Sequence, residues 1–144
     1  MNEIITILWP DLEMEVKARL LVDLNPELCQ ELKDTMPIKS IQSHAVVAGK
    51  QMYFPFRFLP MGKGYNFESM DKQPLGRINI ELDFQYLSIN YGPMTEPVPA
   101  LAVAQVIEDD IPILLQVGEK VWNNLLFSEE YLLVKVLPGG VSNE

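Results

Sequence analysis

Polar and apolar residues alternate from Met14 to Val22, where Val16, Ala18, Leu20 and Val22 interleave with Glu15, Lys17 and Arg19. That period of two predicts a half-buried antiparallel strand. An apolar run at Glu3–Trp9, stopped by Pro10-Asp11, predicts a strand before it. Asn25-Pro26-Glu27 then offers a capping residue, a proline for the first helical position and an acid for the first turn. With Leu28 and Leu32 on one face and Pro37 beyond, it predicts a short helix. Ile38–Val47, a turn at Ala48-Gly49-Lys50 and the return run Gln51–Phe56 read as a β-hairpin, with Pro55 marking an edge or a strand end. A second hairpin follows, Arg77–Leu82 and Tyr86–Tyr91 around Asp83-Phe84-Gln85. Leu101–Ile107 and Glu130–Val136 are the last strands. Between them Asp109 or Asp110 caps a helix carrying Ile111, Leu114, Leu115, Val121 and Trp122, with Gly118 as a weak point in its middle. Seven or more short strands and two short helices predict a β-dominated barrel or sandwich closed by helices. Residues 60–74 and 92–99 have no period and read as loops. The first is long enough to suggest function.

Composition narrows the class. The chain has 144 residues, 48% of them hydrophobic and 22% charged, which fits one globular domain with a loose tail from about residue 137. No uncharged apolar run reaches the ~18–20 residues of a membrane span. A net charge of -9 argues against nucleic acid as a partner, because phosphate contacts need a basic footprint. One cysteine and one histidine exclude a disulfide framework within the chain and any ordinary Cys/His zinc site, so no metal is expected. The start lacks the basic and apolar regions of a secretory signal, which places the chain in the cytoplasm. Acidic edge strands and exposed aromatic loops suggest a homodimer.

Few residues suggest chemistry. His44 is the sole imidazole, so any histidine acid/base mechanism must use it. Alternation puts Gln42, His44 and Val46 on the more polar face of their strand, away from Ile41, Ser43, Ala45 and Val47, which reads as a solvent-facing or locally hydrogen-bonded histidine unless it serves a site. The loop Met61–Glu68 contains two glycines with Lys63, Asn66 and Glu68, and can wrap an anionic ligand through backbone N–H groups, although it lacks P-loop spacing. Tyr91 shares a face with Leu87 and Ile89, which favours burial with its hydroxyl reaching a partner. Tyr53, Tyr86 and Arg57 suit either packing or a site rim. Glu108, at the strand–helix junction, is a carboxylate that helix capping does not explain. Cys29, on a short amphipathic helix, reads as buried filler.

Several segments together resemble small bacterial cyclophilin-like proteins. These are His44-Ala45 with Gly49 and Tyr53-Phe54-Pro55, then Pro74-Leu75-Gly76-Arg77-Ile78, and Leu87-Ser88-Ile89-Asn90-Tyr91-Gly92-Pro93. Ala104–Glu108 and Val117-Gly118-Glu119-Lys120-Val121 complete the order. The likeness spans roughly residues 15–136 and implies a closed barrel of about eight strands capped by two short helices. Arg77 departs from it by standing where the family usually has an acid. The same barrel occurs in cucumopine synthases, joined to a helical bundle with no counterpart in these residues. Prolyl isomerase activity is not implied, since Phe56-Arg57-Phe58 is followed by no Gln-x-Gly-Gly-Asp segment. The resemblance instead implies a small-molecule ligand, with two alternatives open. One is a cofactor-independent condensation of an amino acid with a 2-oxo acid through an imine, in which His44, Tyr53, Tyr91 or Glu108 moves protons. Arg57, Lys63, Asn66 and Glu68 would then hold the substrate. The other is a non-catalytic structural or interaction module.

Overall fold

A computed structural model describes residues 3–128 and 130–140. Its strands are β1 (Ile4–Trp9), β2 (Met14–Leu20), β3 (Ile38–His44), β4 (Gly49–Pro55), β5 (Glu68–Ser69), β6 (Arg77–Glu81), β7 (Tyr86–Met94), β8 (Pro99–Val106) and β9 (Leu132–Pro138), and its helices are α1 (Pro26–Lys33) and α2 (Ile111–Phe127). Eight strands close in the order β2-β1-β9-β3-β4-β7-β6-β8 and back to β2, every neighbouring pair antiparallel. Closure is the expected outcome for short antiparallel strands with one strongly apolar face, because it removes unpaired edges. It also removes the acidic edge strands that suggested a dimer. Among the described strands only the two-residue β5 stands outside the ring. Of the tail expected from about residue 137, Leu137 and Pro138 are paired in β9, and residues 141–144 lie outside the described residues.

The interior follows the cross-strand register. Ile5 faces Ala18, Ile7 faces Val16 and Val136, Met52 faces Ile89, and Ile78 faces both Ile89 and Ala104. All of these are buried. The seam is short. β2 pairs with β8 only from Ala18↔Val106 to Leu20↔Ala104, and the earlier part of the same β8 edge is taken by β5 at Pro99 and Ala100. In between, the chain leaving β2 satisfies β8: Leu21 N–H donates to the Val103 carbonyl and the Asn25 side-chain amide to the Ala102 carbonyl. Asn25 does occupy the residue before α1, but it makes no capping bond. Its amide instead links the seam to Asn66 in both directions. Cys29, buried beside it, is pushed up to about 11 by desolvation and behaves as filler.

The helices pack at opposite ends. α1 covers the end near Leu20 and β8, whereas α2 lies against β2, β3, β4 and β7. α2 is a continuous 17-residue helix, longer than the pattern suggested. Asp110 precedes it without capping it, its carboxylate accepting the Lys17 backbone N–H at 2.8 Å. Gly118 does not interrupt the helix. It is the point where the Tyr91 ring lies against the helix backbone: a Cβ there would sit 2.4–2.6 Å from three ring carbons. The Gly118→Ala variant should therefore be destabilised despite a gain of about 1 kcal/mol in helix propensity, because overpacking a filled core costs about 1–3 kcal/mol. Thermal unfolding checks this, and an unchanged or higher Tm would show that the ring has room to move.

Candidate functional site

The predicted site residues divide between the two faces of the sheet. His44 is buried, which corrects the reading of its face as solvent-exposed. The polar-looking side of β3 is the inward one: Ile38, Gln42 and His44 point in, while Ile41 is 44% exposed. Inward polarity is tolerated because each group is satisfied. Trp9 donates its indole N–H to Gln42 Oε1 at 2.8 Å, and the Gln42 amide donates to the Ser43 and Tyr53 carbonyls. His44 Nδ1 lies 2.6 Å from the Ala45 carbonyl and Nε2 lies 2.5 Å from the Tyr91 hydroxyl. A carbonyl can only accept, so Nδ1 carries the proton, and Nε2 of the neutral ring accepts from Tyr91. Trp122 of α2 packs at 4.7 Å from the imidazole. Burial holds the His44 pKa below its ordinary value, only partly offset by the bond to Ala45. A cavity of about 330 Å³ borders His44, Tyr91, Trp122 and Lys50.

The other predicted residues lie elsewhere. Tyr53 is on the outer face of β4, stacked on Tyr86 at 4.3 Å. Glu108 is exposed in the short 3-10 turn before α2. Arg57 and Lys63 are exposed. Asn66 is bound to Asn25 and to the Leu24 carbonyl. Glu68 receives a two-pronged ion pair from Arg77, at 2.9 and 2.7 Å, which pulls its pKa down. The 60–74 loop does not approach His44. Its first half is held to α1, where Met61 N–H and the Tyr65 hydroxyl both donate to Glu31 at 2.6 Å. Its second half straps the outside of the barrel.

Beneath that strap lies a buried polar layer. Gln51, Asn79, Ser88 and Asn90 face outward from the sheet yet are at most 2% exposed. Gln73 covers them, accepting from the amides of Asn79 and Asn90 at 2.9 Å each and donating to Asn79 Oδ1 at 2.8 Å. Gln51 donates to Asn90 Oδ1 at 3.1 Å.

Beside this layer opens a groove of about 540 Å³, bordered by Phe67 and Met70 of the strap and by Glu96, Val98 and Pro99 before β8. Gln51, Glu81 and Tyr86 border it from the sheet, and Asp83 and Phe84 from the β6–β7 turn. Phe84 stacks on Tyr86 at 5.5 Å, which extends the Tyr53–Tyr86 stack into an aromatic wall. Glu81 is half-buried, and only the Ser88 hydroxyl donates to it, at 3.1 Å. Desolvation raises its pKa, the Ser88 bond opposes that weakly, and the charges of Asp83 and Glu96 raise it further. The same surroundings push the Tyr86 hydroxyl up. A half-buried carboxyl with a raised pKa, facing an aromatic-lined groove, is placed to exchange a proton with a bound ligand. Sequence reading missed Glu81 because Arg77, Asn79 and Glu81 alternate with Ile78 and Ile80 and so look like a plain solvent face. The only available signal was that Asn79, Ser88 and Asn90 are amides and a hydroxyl where charged residues usually face water. Among the described residues no three His, Cys, Asp or Glu side chains converge as metal ligands would. No described helix is long and apolar enough to cross a membrane.

No protein-family model and no curated protein matches the chain. Among solved structures it is similar to McbB, determined in complex with tryptophan, with a TM-score of 0.86 and 28% identity over 97% of this chain and 46% of McbB. The chain thus spans about half the length of McbB. It also superposes on the solution structure of the hypothetical protein AF2241 from Archaeoglobus fulgidus, with a TM-score of 0.58 and 15% identity over 94% of each chain, a likeness of fold alone. The closed eight-stranded ring is therefore the cyclophilin-like barrel expected from the sequence, shared over nearly its whole length with a protein solved holding tryptophan.

Proposed function

We propose that the protein binds an aromatic amine-bearing small molecule in the groove over β6 and β7, and that Glu81 moves the proton in a cofactor-independent, imine-forming condensation. One observation carries this reading: a half-buried carboxyl with a raised pKa faces a groove walled by Phe84 and Tyr86. The likeness to a protein solved with tryptophan supports an aromatic amine as the ligand class. So does the resemblance of the sequence to cucumopine synthases, which join an amine to a carbonyl compound. In the proposed reaction the amine adds to the carbonyl and, as Glu81 protonates the departing water, the protonated imine (an iminium) forms. A nucleophilic ring carbon then attacks the imine carbon, forming a C–C bond, and loses its proton. Protonated Glu81 donates to the departing water, and its carboxylate accepts the ring proton, so the residue returns to its starting state. This assignment replaces His44 as the acid/base group, since both His44 ring nitrogens are already engaged. His44 and Tyr91 then serve to hold β3, β7 and α2 together.

The Glu81→Gln variant separates chemistry from stability. The raised pKa means that the folded chain binds the Glu81 proton more tightly than the unfolded chain. Its contribution to stability is full below the unfolded value of about 4.3 and is lost as pH rises through the folded value. Above the folded value the ionised group is therefore a cost that glutamine removes. The variant should keep or raise Tm while losing at least about 100-fold in turnover, the lower range for general acid–base catalysis. Turnover is read by mass spectrometry as a product equal to amine plus carbonyl compound minus water. The probes are tryptophan or tryptamine with acetaldehyde or pyruvate, and the uncatalysed rate is subtracted. Undiminished turnover in the variant would remove Glu81 from the mechanism.

His44 gives the opposite pH signature. Its pKa is lowered in the folded chain, so its contribution is full above the unfolded value of about 6.5 and is lost as pH falls through the folded value. Its ring NMR signal should titrate below 6.5, and Tm should decline from pH 7 toward pH 5 more steeply than in His44→Gln. A midpoint at or above 6.5 would contradict the enclosed, neutral ring.

A further inference from the structure

We infer that the groove selects an aromatic amine lacking a carboxylate, an arylethylamine, over the corresponding α-amino acid. The inference rests on the reading of the groove as a small-molecule site and goes beyond it in naming the substrate class. The charged residues bordering the groove are Glu81, Asp83 and Glu96, all acidic. Among the described residues no lysine or arginine borders it.

Two cations on the strands that floor the groove are directed elsewhere. Arg77 shares the outward face of β6 with Glu81, but two of its guanidinium nitrogens are held by Glu68 and the third donates to Gln105 at 3.0 Å. Lys50 precedes Gln51 yet turns across Gly92 to border the Tyr91–Trp122 side of the barrel. Neutral donors are also committed. The Gln51 amide donates to Asn90 Oδ1 and approaches Met70 Sδ at 3.8 Å. The Ser88 hydroxyl donates to Glu81.

An α-carboxylate entering here would meet the carboxylates of Asp83 and Glu96 and the half-buried carboxyl of Glu81, with few spare donors to offset them. An ammonium group would meet the reverse: complementary carboxylates, with the aromatic wall of Phe84 and Tyr86 beside its aromatic body. The groove therefore discriminates by repulsion as much as by attraction, since the rejected ligand differs only in the group that the site cannot neutralise.

Isothermal titration of the full chain at pH 7 with tryptamine, tryptophan and indole-3-acetate tests this. Tryptamine should bind at least tenfold more tightly than tryptophan, with indole-3-acetate weakest. Placing a cation at the rim in the exposed Glu96→Lys variant should narrow the tryptamine-to-tryptophan ratio at least threefold. Tryptophan binding as tightly as tryptamine would overturn the selectivity while leaving the groove as a binding site. A ratio unmoved by Glu96→Lys would likewise overturn the electrostatic origin. Failure of all three probes to bind would overturn the groove reading itself, and the selectivity with it.

Discussion

The outer face of the β6–β7 sheet depends on a buried layer of amides that is shut off from bulk solvent. Asn79, Asn90 and Gln51 point away from the barrel core yet are almost wholly enclosed. A buried amide group left without a partner costs about 1–3 kcal/mol, so the layer is tenable only when something covers and bonds it. Gln73 does this, with its carbonyl accepting two bonds and its amide donating two. Gln73 in turn is placed by β5, whose two residues occupy the β8 edge that β2 leaves open, and by the Glu68–Arg77 ion pair. Loss of any of these would free the strap and expose several amides at once, which makes the arrangement cooperative. The groove exists because the strap docks: Phe67 and Met70, on either side of β5, form one of its walls.

The two titratable clusters on either side of the sheet show opposite kinds of satisfaction. His44 has a partner at each nitrogen and a ring packed against it, and Gly118 lets Tyr91 come close enough to complete the set. Such a cluster favours rigidity, with both ring nitrogens of His44 already bonded. Glu81 has one weak donor, two neighbouring negative charges and an open side. Its ionised form is held at a cost to the fold. Groups kept in that condition are found where proton transfer or ligand charge makes use of them.

Much of the barrel was legible in the chain. The alternation in β2, the two hairpins and the Asn25-Pro26 helix start each specify structure through contacts close in sequence, and their boundaries agree to within a few residues. The orientation of β3 was not legible. Gln42 and His44 look like an outward face until Trp9 and Tyr91, 33 and 47 residues away, supply their partners. The continuity of α2 through Gly118 was hidden for the same reason, because what fits against the glycine is a ring from β7. The 60–74 segment reads as a long loop, yet β5 and a 3-10 turn form within it, and its glycines are not the part that meets the sheet. Its second half matters through Glu68 and Gln73, which act on strands that periodicity cannot bring together. Of the predicted site residues, His44 and Tyr91 do meet, whereas Tyr53 lies near the groove only through its stack on Tyr86.

Along β6 the outward residues run Arg77, Asn79, Glu81, three successive positions on one face with three degrees of electrostatic satisfaction. Arg77 pairs with Glu68 of the strap, and that ion pair is fully used in closing the barrel wall. Asn79 is neutral and saturated. Glu81, at the strand end where the β6–β7 turn opens, is the first position on this face that the strap does not cover. A carboxylate two positions earlier would be neutralised by the covering loop, and one beyond the turn would be fully hydrated like Asp83. Only at the boundary between the covered and the open sheet does a carboxyl acquire both a raised pKa and access to a ligand.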